Sequence, residues 1–219
     1  MENKSKSPLA HDAIALFINT LVAGVLLGAV YTITKEPIEK ADEKTTNEAY
    51  AAVYKDAEFE ANDDLTKALE SFQKDLTAGK VDDEAFSYTD VELIEARAAA
   101  TSEGEGYVIK AAAKGYGGNV TIALGISAEG KILGIQILDA SNETPGLGQN
   151  STKEDWNGQY IGASMDKTLN VVKDGSGSAD NGTINAISGA TITSKAVTRA
   201  VNASLKFVGS QTTTETIVD

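Results

Sequence analysis

Residues 183–195 read TINAISGATITSK. Thr183 and Ile184 favour an extended strand. Gly189 permits a tight turn, and the hydroxyls that follow predict a helix capped near Thr193 or Ser194. Val197, Val201, Leu205 and Val208 then recur on one helical face. A helix start of this kind offers unpaired N–H groups and the positive end of the dipole. Phosphate is favoured there without any basic side chain. Lys195 either adds a charge or faces solvent. The same hydroxyls also serve an ordinary cap, so the local pattern leaves both uses open.

Upstream, 169–172 predicts a strand and 174–182 a polar Gly/Ser loop. Residues 151–163 predict a short helix carrying Trp156, Tyr160 and Ile161. The loop 142–150, NETPGLGQN, is rich in residues with special backbone preferences. Three runs, 107–113, 120–126 and 132–138, are short and apolar or alternating. GYGG at 115–118 separates the first pair and AEGK at 128–131 the second, which predicts antiparallel strands. Tyr50, Val53, Tyr54 and Ala57 recur at helical spacing, as do Leu65, Leu69, Phe72 and Leu76, with Asp63 and Asp64 available as caps. The threonine-rich tail, 210–219, is expected to fray.

At the other end, residues 13–34 read AIALFINTLVAGVLLGAVYTIT without a charge, enough to cross a bilayer. The exit at 30–33 lacks a small-x-small cleavage pattern, so a retained anchor is expected rather than a signal peptide. Lys4 and Lys6 precede the span, whereas Lys35 and Lys40 are offset by Glu36 and Glu39. This predicts a cytoplasmic tail at 1–12 and a domain outside. Pro37 is expected to end the helix. Gly24 and Gly28 form a GxxxG spacing, which either admits a second helix or reflects the abundance of glycine in membrane spans. The expected organisation is therefore one anchor, a helical linker and N-terminal part of the outer domain at 35–100, and an α+β domain at 101–209. That domain has an antiparallel sheet with flanking helices.

The chain has 219 residues, no cysteine, a single histidine (His11) and a net charge of −13. Disulfides, thiolate metal sites and iron–sulfur ligation are excluded. His11 lies beside the apolar N-terminal segment, so a histidine-based metal site or catalytic triad elsewhere is excluded too. The acidity argues against nucleic acid. No Gly-rich dinucleotide fingerprint follows a strand, so NAD is not an expected ligand of this chain.

Residues 188–194, SGATITS, resemble the signature of the FMN-binding domain family. GYGG at 115–118, AEGKILGI at 128–135 and ETPGLG at 143–148 resemble the core of the same domain in the same order. The family includes the G subunit of the Rnf electron-transport complex and the C subunit of the sodium-pumping NADH:quinone reductase. In it, a flavin transferase takes FMN from FAD and esterifies the phosphate to the threonine of the GAT triplet. By that resemblance Thr191 is the phosphoester threonine. Gly189 lets the backbone approach the phosphate, Ala190 belongs to the same binding turn, and Ser188 and Thr193 donate to the phosphate. Glu143, Thr144, Leu147 and Gly148 line the flavin, with Pro145 and Gly146 shaping the loop. Two positions depart from the family pattern: Asn185 stands where an aspartate is usual, and Asn142 where a histidine is frequent. The resemblance implies an electron-relay subunit of a membrane ion-translocating ferredoxin:NAD oxidoreductase. Its partners would be the other membrane subunits, the lipid bilayer and, during maturation, the transferase. The short tail favours the Rnf branch over the quinone-reductase branch or a free-standing flavin carrier. A cofactor-free adhesive domain leaves the paired motifs without a reason.

Overall fold

The computed structural model describes residues 8–102 and 104–215. The chain divides into two compact units, Met1–Thr45 and Thr46–Asp219. The first helix, α1, spans Pro8–Val53 and contains Pro37. An 18-residue window within it has a mean hydropathy of 2.3, and among the described residues this is the one helix long and apolar enough to cross a membrane. Leu16, Phe17, Leu26, Leu27 and Ile33 are all exposed along it. Its hydroxyls are satisfied internally: Thr20, Thr32 and Thr34 donate to the carbonyls of Leu16, Gly28 and Val30. That pattern is what an apolar surround requires.

Pro37 does not end α1, contrary to expectation. A proline removes one i→i−4 hydrogen bond, at a cost of about 3 kcal/mol. The alanine-, lysine- and glutamate-rich turns after it favour helix strongly enough to continue. The recurrence at Tyr50 and Val53 is consequently the last turns of α1, and Tyr54 and Ala57 lie beyond its end.

In the second unit, α2 (Asp63–Thr77) buries Leu65, Leu69 and Leu76. Its cap is Asn62, one residue before the expected pair, whose side chain accepts from the N–H of Asp64 (2.8 Å) and Leu65 (3.4 Å). Asp63 and Asp64 sit in the first turn, where their charge suits the helix dipole. Asn62→Ala is expected to lower stability by about 1 kcal/mol in denaturant unfolding, the usual cost of losing such a cap; an unchanged midpoint would remove that role.

Five strands form one antiparallel meander in the order β1 (Glu58–Glu60), β2 (Val91–Ala100), β3 (Glu105–Lys114), β4 (Asn119–Ser127) and β5 (Ile132–Asp139). The last three are the strands predicted from the hairpin signals. β2 is alanine-rich and has no sequence signal of its own. Its pairing with β3 over nine positions, and its contact with α2, make it a strand. On the outer face, Gly125 and Gly134 face each other across β4 and β5. A Cβ at either would strike the Val53 backbone. These two glycines therefore let the end of α1 lie directly on the sheet, where Ala49, Tyr50 and Val53 meet Ala99, Val108 and Ala123.

The inner face carries α4 (Thr191–Glu215), packed across β2, β3 and β4. Val197, Val201, Leu205 and Val208 are buried as predicted, and so are Ala196, Ala200, Ala203 and Phe207, so α4 is a central helix rather than a covering one. It continues as helix to Glu215, past the point at which fraying was expected; residues 216–219 lie outside the described region. A two-stranded parallel sheet, β6 (Asn170–Val172) with β7 (Thr183–Asn185), leads into it. Asn202 of α4 fastens β6's approach by accepting from the Leu169 N–H (3.0 Å) and donating to the Leu169 carbonyl (2.9 Å).

The expected helix at 151–163 is broken. A 3-10 turn, Gly148–Thr152, is followed by one α-turn, α3 (Glu154–Asn157), and a second 3-10 turn, Gly158–Tyr160. Lys153 is extended between the first two (φ −77°, ψ 131°), and Gly162 has φ +85°. Two glycines in so short a segment remove the helical preference. What places the segment is burial of Trp156 and Tyr160, whose rings meet edge-on at 5.7 Å. Burial pushes the Tyr160 phenol well above its ordinary pKa, and its hydroxyl pairs with that of Thr198 at 2.8 Å.

Candidate functional site

Three loops converge where α4 begins. The first is the hairpin turn at 115–118 between β3 and β4, closed by Gly115 N–H donating to Gly118 O (2.7 Å). The second is the ETPGLG loop after β5. There Leu147 N–H donates to Thr144 O (3.1 Å) across Pro145 and Gly146, and Gly146 has φ +74°, the arrangement of a type II turn. The third is the turn at 187–190, in which Ala190 N–H donates to Ile187 O (3.0 Å) and Gly189 has φ +77°. A side chain at Gly189 would be strained there, and its Cβ would also come within 2.9 Å of a Leu147 methyl.

Helix α4 begins at Thr191, two to three residues earlier than the expected cap. Ser194 N–H already donates to Ala190 O (3.0 Å). The Ser194 hydroxyl accepts from Ile187 N–H (2.9 Å) and donates to Ala190 O (3.0 Å), so it staples the incoming strand to the first turn rather than capping from outside. Among the described residues the N–H groups of Thr191, Ile192 and Thr193 have no backbone acceptor, as geometry demands of a helix start.

Glu143 joins the three loops. It is 2% exposed. One carboxylate oxygen accepts from Gly117 N–H (2.9 Å) in the hairpin turn, and the other from the Thr193 hydroxyl in α4. A Cβ at Gly115 or at Gly148 would lie 2.5 Å from one or the other of these oxygens. The glycines of both motifs thus make room for one buried carboxylate.

A cavity of about 540 Å³ opens over this clamp, lined by Tyr116, Glu143, Thr144, Leu147 and Gly148 from the loops and by residues 189–193. That size is ordinary for a small-molecule site, roughly 300–1,000 Å³. Eight of the nine residues singled out from sequence line it; Ser188, exposed, does not. The Thr191 hydroxyl is half-buried and has no hydrogen-bond partner among the described residues. Thr193 is buried and spends its proton on Glu143, so it is not free to donate to a phosphate as expected. Lys195 faces solvent. Sequence reading did not mark Tyr116 or Ile192. Both are large and exposed (72% and 53%), and with Leu147 they give the cavity an apolar rim. Tyr116 was visible in GYGG, but nothing local indicated which way the turn faces.

Trp156 and Asn185 stand behind the site rather than in it. The indole N–H donates to the Asn185 carbonyl (2.8 Å), which resolves Trp156 as a core residue. The Asn185 side chain accepts from Gly177 N–H (2.9 Å), holding the Gly/Ser loop against β7. An amide oxygen does this as well as a carboxylate. Asn142 lies exposed at the start of the loop, packed on Gly117 and Gly118.

An FMN-binding domain matches residues 115–206, the span that contains all three converging loops and most of α4. The chain is 38% identical to the G subunit of the Na(+)-translocating ferredoxin:NAD(+) oxidoreductase complex of Acetobacterium woodii, over 94% of this chain and 97% of that one. It is 31% identical to the G subunit of the proton-translocating ferredoxin:NAD(+) oxidoreductase complex of Clostridium ljungdahlii, over 88% of each. Among solved structures, the C subunit of the Na(+)-translocating NADH-quinone reductase of Parabacteroides distasonis is similar at 19% identity and a TM-score of 0.44, over 66% of this chain and 94% of that one. The residues fit the group the domain is named for: a cavity of suitable size, an apolar rim, and a hydroxyl and helix-start N–H groups without partners among the described residues. By full-length identity and by its domain, the chain belongs to the family of G subunits of ion-translocating oxidoreductase complexes, flavin-binding subunits of electron transport.

Proposed function

We propose that this chain relays electrons within an Rnf-type ion-translocating ferredoxin:NAD oxidoreductase complex, carrying FMN as a phosphoester on Thr191. The observation that supports this most is the Thr191 hydroxyl. It belongs to the first helical residue of α4, half-buried in the cavity, and has no hydrogen-bond partner among the described residues. Attachment forms a bond from Thr191 Oγ1 to the FMN phosphorus of FAD. It breaks the pyrophosphate linkage, releases AMP and gives the hydroxyl proton to solvent. A flavin transferase is the partner that this step requires.

The bound flavin supplies the electron chemistry of its isoalloxazine ring. The chain's residues hold and orient it. The N–H groups of Thr191, Ile192 and Thr193 would donate to phosphate oxygens. Gly189 would let the backbone come close, while Glu143, Thr144, Leu147 and Gly148 would line the ring. A tether replaces dilution outside the cell by an effective concentration on the order of millimolar. Lys4 and Lys6 ahead of the span support an N-terminus in the cytoplasm and a flavin domain on the outer face. The GxxxG at Gly24 and Gly28 suits close packing among the membrane helices of partner subunits.

The test is purification from native membranes, followed by peptide mass analysis. The peptide containing Thr191 is expected to carry the mass of FMN minus water, and the remaining membrane subunits are expected to co-purify. A colourless monomer in detergent, without partners, would overturn the reading.

A further inference from the structure

We propose that Glu143 makes the head of α4 discriminate between phosphate forms. It disfavours the phosphate of free FMN and accepts the phosphodiester created on Thr191, so occupancy depends on the tether. This rests on the flavin reading above and goes beyond it.

A helix start ordinarily attracts anions. Here the positive end already faces an anion. Glu143 is 2% exposed, and both its oxygens act as acceptors, one of them for a residue in the first turn of α4. It is built in rather than incidental, since Gly115 and Gly148 both leave the space its oxygens fill. No lysine or arginine lines the cavity, and Lys195 faces solvent. A phosphomonoester carries about −1.5 to −2 charges near neutral pH. A diester has lost one acidic oxygen and carries about −1. Repulsion scales with the product of charges and grows as water is excluded. Esterification at Thr191 therefore removes up to half of the repulsion from Glu143, whereas free FMN meets all of it. The clamp that positions the loops also makes the site a poor receptor for its own untethered cofactor.

The experiment uses the full chain in detergent, produced without flavin transferase so that Thr191 is free. Riboflavin, FMN and FMN methyl ester are titrated by flavin fluorescence. They share one ring and differ in phosphate charge. FMN is expected to bind about tenfold more weakly than its methyl ester (1.4 kcal/mol), with riboflavin reporting the ring without a phosphate. Glu143→Gln should bring FMN to within about threefold of the ester; the readout is the FMN-to-ester ratio, into which any change in ring binding enters equally. The wild-type comparison stands even if the variant does not fold. FMN binding as tightly as the ester overturns the proposal and leaves the flavin site intact. A Glu143→Gln effect equal on riboflavin and FMN also overturns it, leaving only a positioning role. No binding by any of the three, together with flavin-free native protein, overturns the proposed function as well.

Discussion

Thr191→Ala, co-expressed with flavin transferase, is expected to give a folded chain with no flavin fluorescence after denaturing electrophoresis, against near-stoichiometric labelling of the wild type. Fold and label separate cleanly here. The Thr191 side chain has no hydrogen bond to lose, and alanine is the better helix former at that position. Stability should therefore stay within about 0.5 kcal/mol. Thr191→Ser keeps the hydroxyl and should keep the label. A band that survives Thr191→Ala would move the ester elsewhere. Thr193, the next hydroxyl in the cavity, is a poor substitute. It is 1% exposed and bonded to Glu143, and a phosphate on it would displace the clamp.

Trp156→Ala should be the most destabilising single change near the site, by about 3–5 kcal/mol in denaturant unfolding, the range for removing a buried large aromatic. Trp156 is 8% exposed and packs edge-on against Tyr160. Its indole also satisfies the carbonyl of Asn185, the last residue of β7 before the chain turns into α4. The loss is therefore of packing and of one anchor for the strand that delivers Thr191. Trp156→Phe keeps most of the packing and should cost only about 1–2 kcal/mol, the hydrogen bond and some volume. A Trp156→Ala effect below about 1 kcal/mol would mean that α3 is a surface flap and contributes nothing to holding β7. Flavin labelling of the folded fraction should survive, since no Trp156 atom lines the cavity.

Much of the fold was legible because its signals are local. Strands β3, β4 and β5 announce themselves through apolar runs separated by glycine-bearing turns. The buried face of α4 follows from four residues at helical spacing, and the apolar part of α1 from an uncharged run. Where local signals misled, a longer-range term outweighed them. Pro37 costs one hydrogen bond, and the helix-favouring turns beyond it carry α1 on. The 151–163 segment has helical spacing of its large residues, yet its glycines and the burial of Trp156 and Tyr160 settle it as broken turns. β2 has the alanine content of a helix and became a strand because β3 pairs along its length and α2 packs against it.

By itself the sequence determined which backbone pieces exist and which residue types stand at the head of α4, because hydrophobic period, turn chemistry and helix starts are set by neighbours along the chain. Only the tertiary structure decided what those residues do to one another. Glu143 reaches Gly117 across 26 positions and Thr193 across 50. No periodicity encodes such contacts; they exist because β4, β5 and α4 fold back to the same point. That closure took Thr193 out of the donor set, left the Thr191 hydroxyl free, and set a buried negative charge beside the one place where the sequence favours a phosphate.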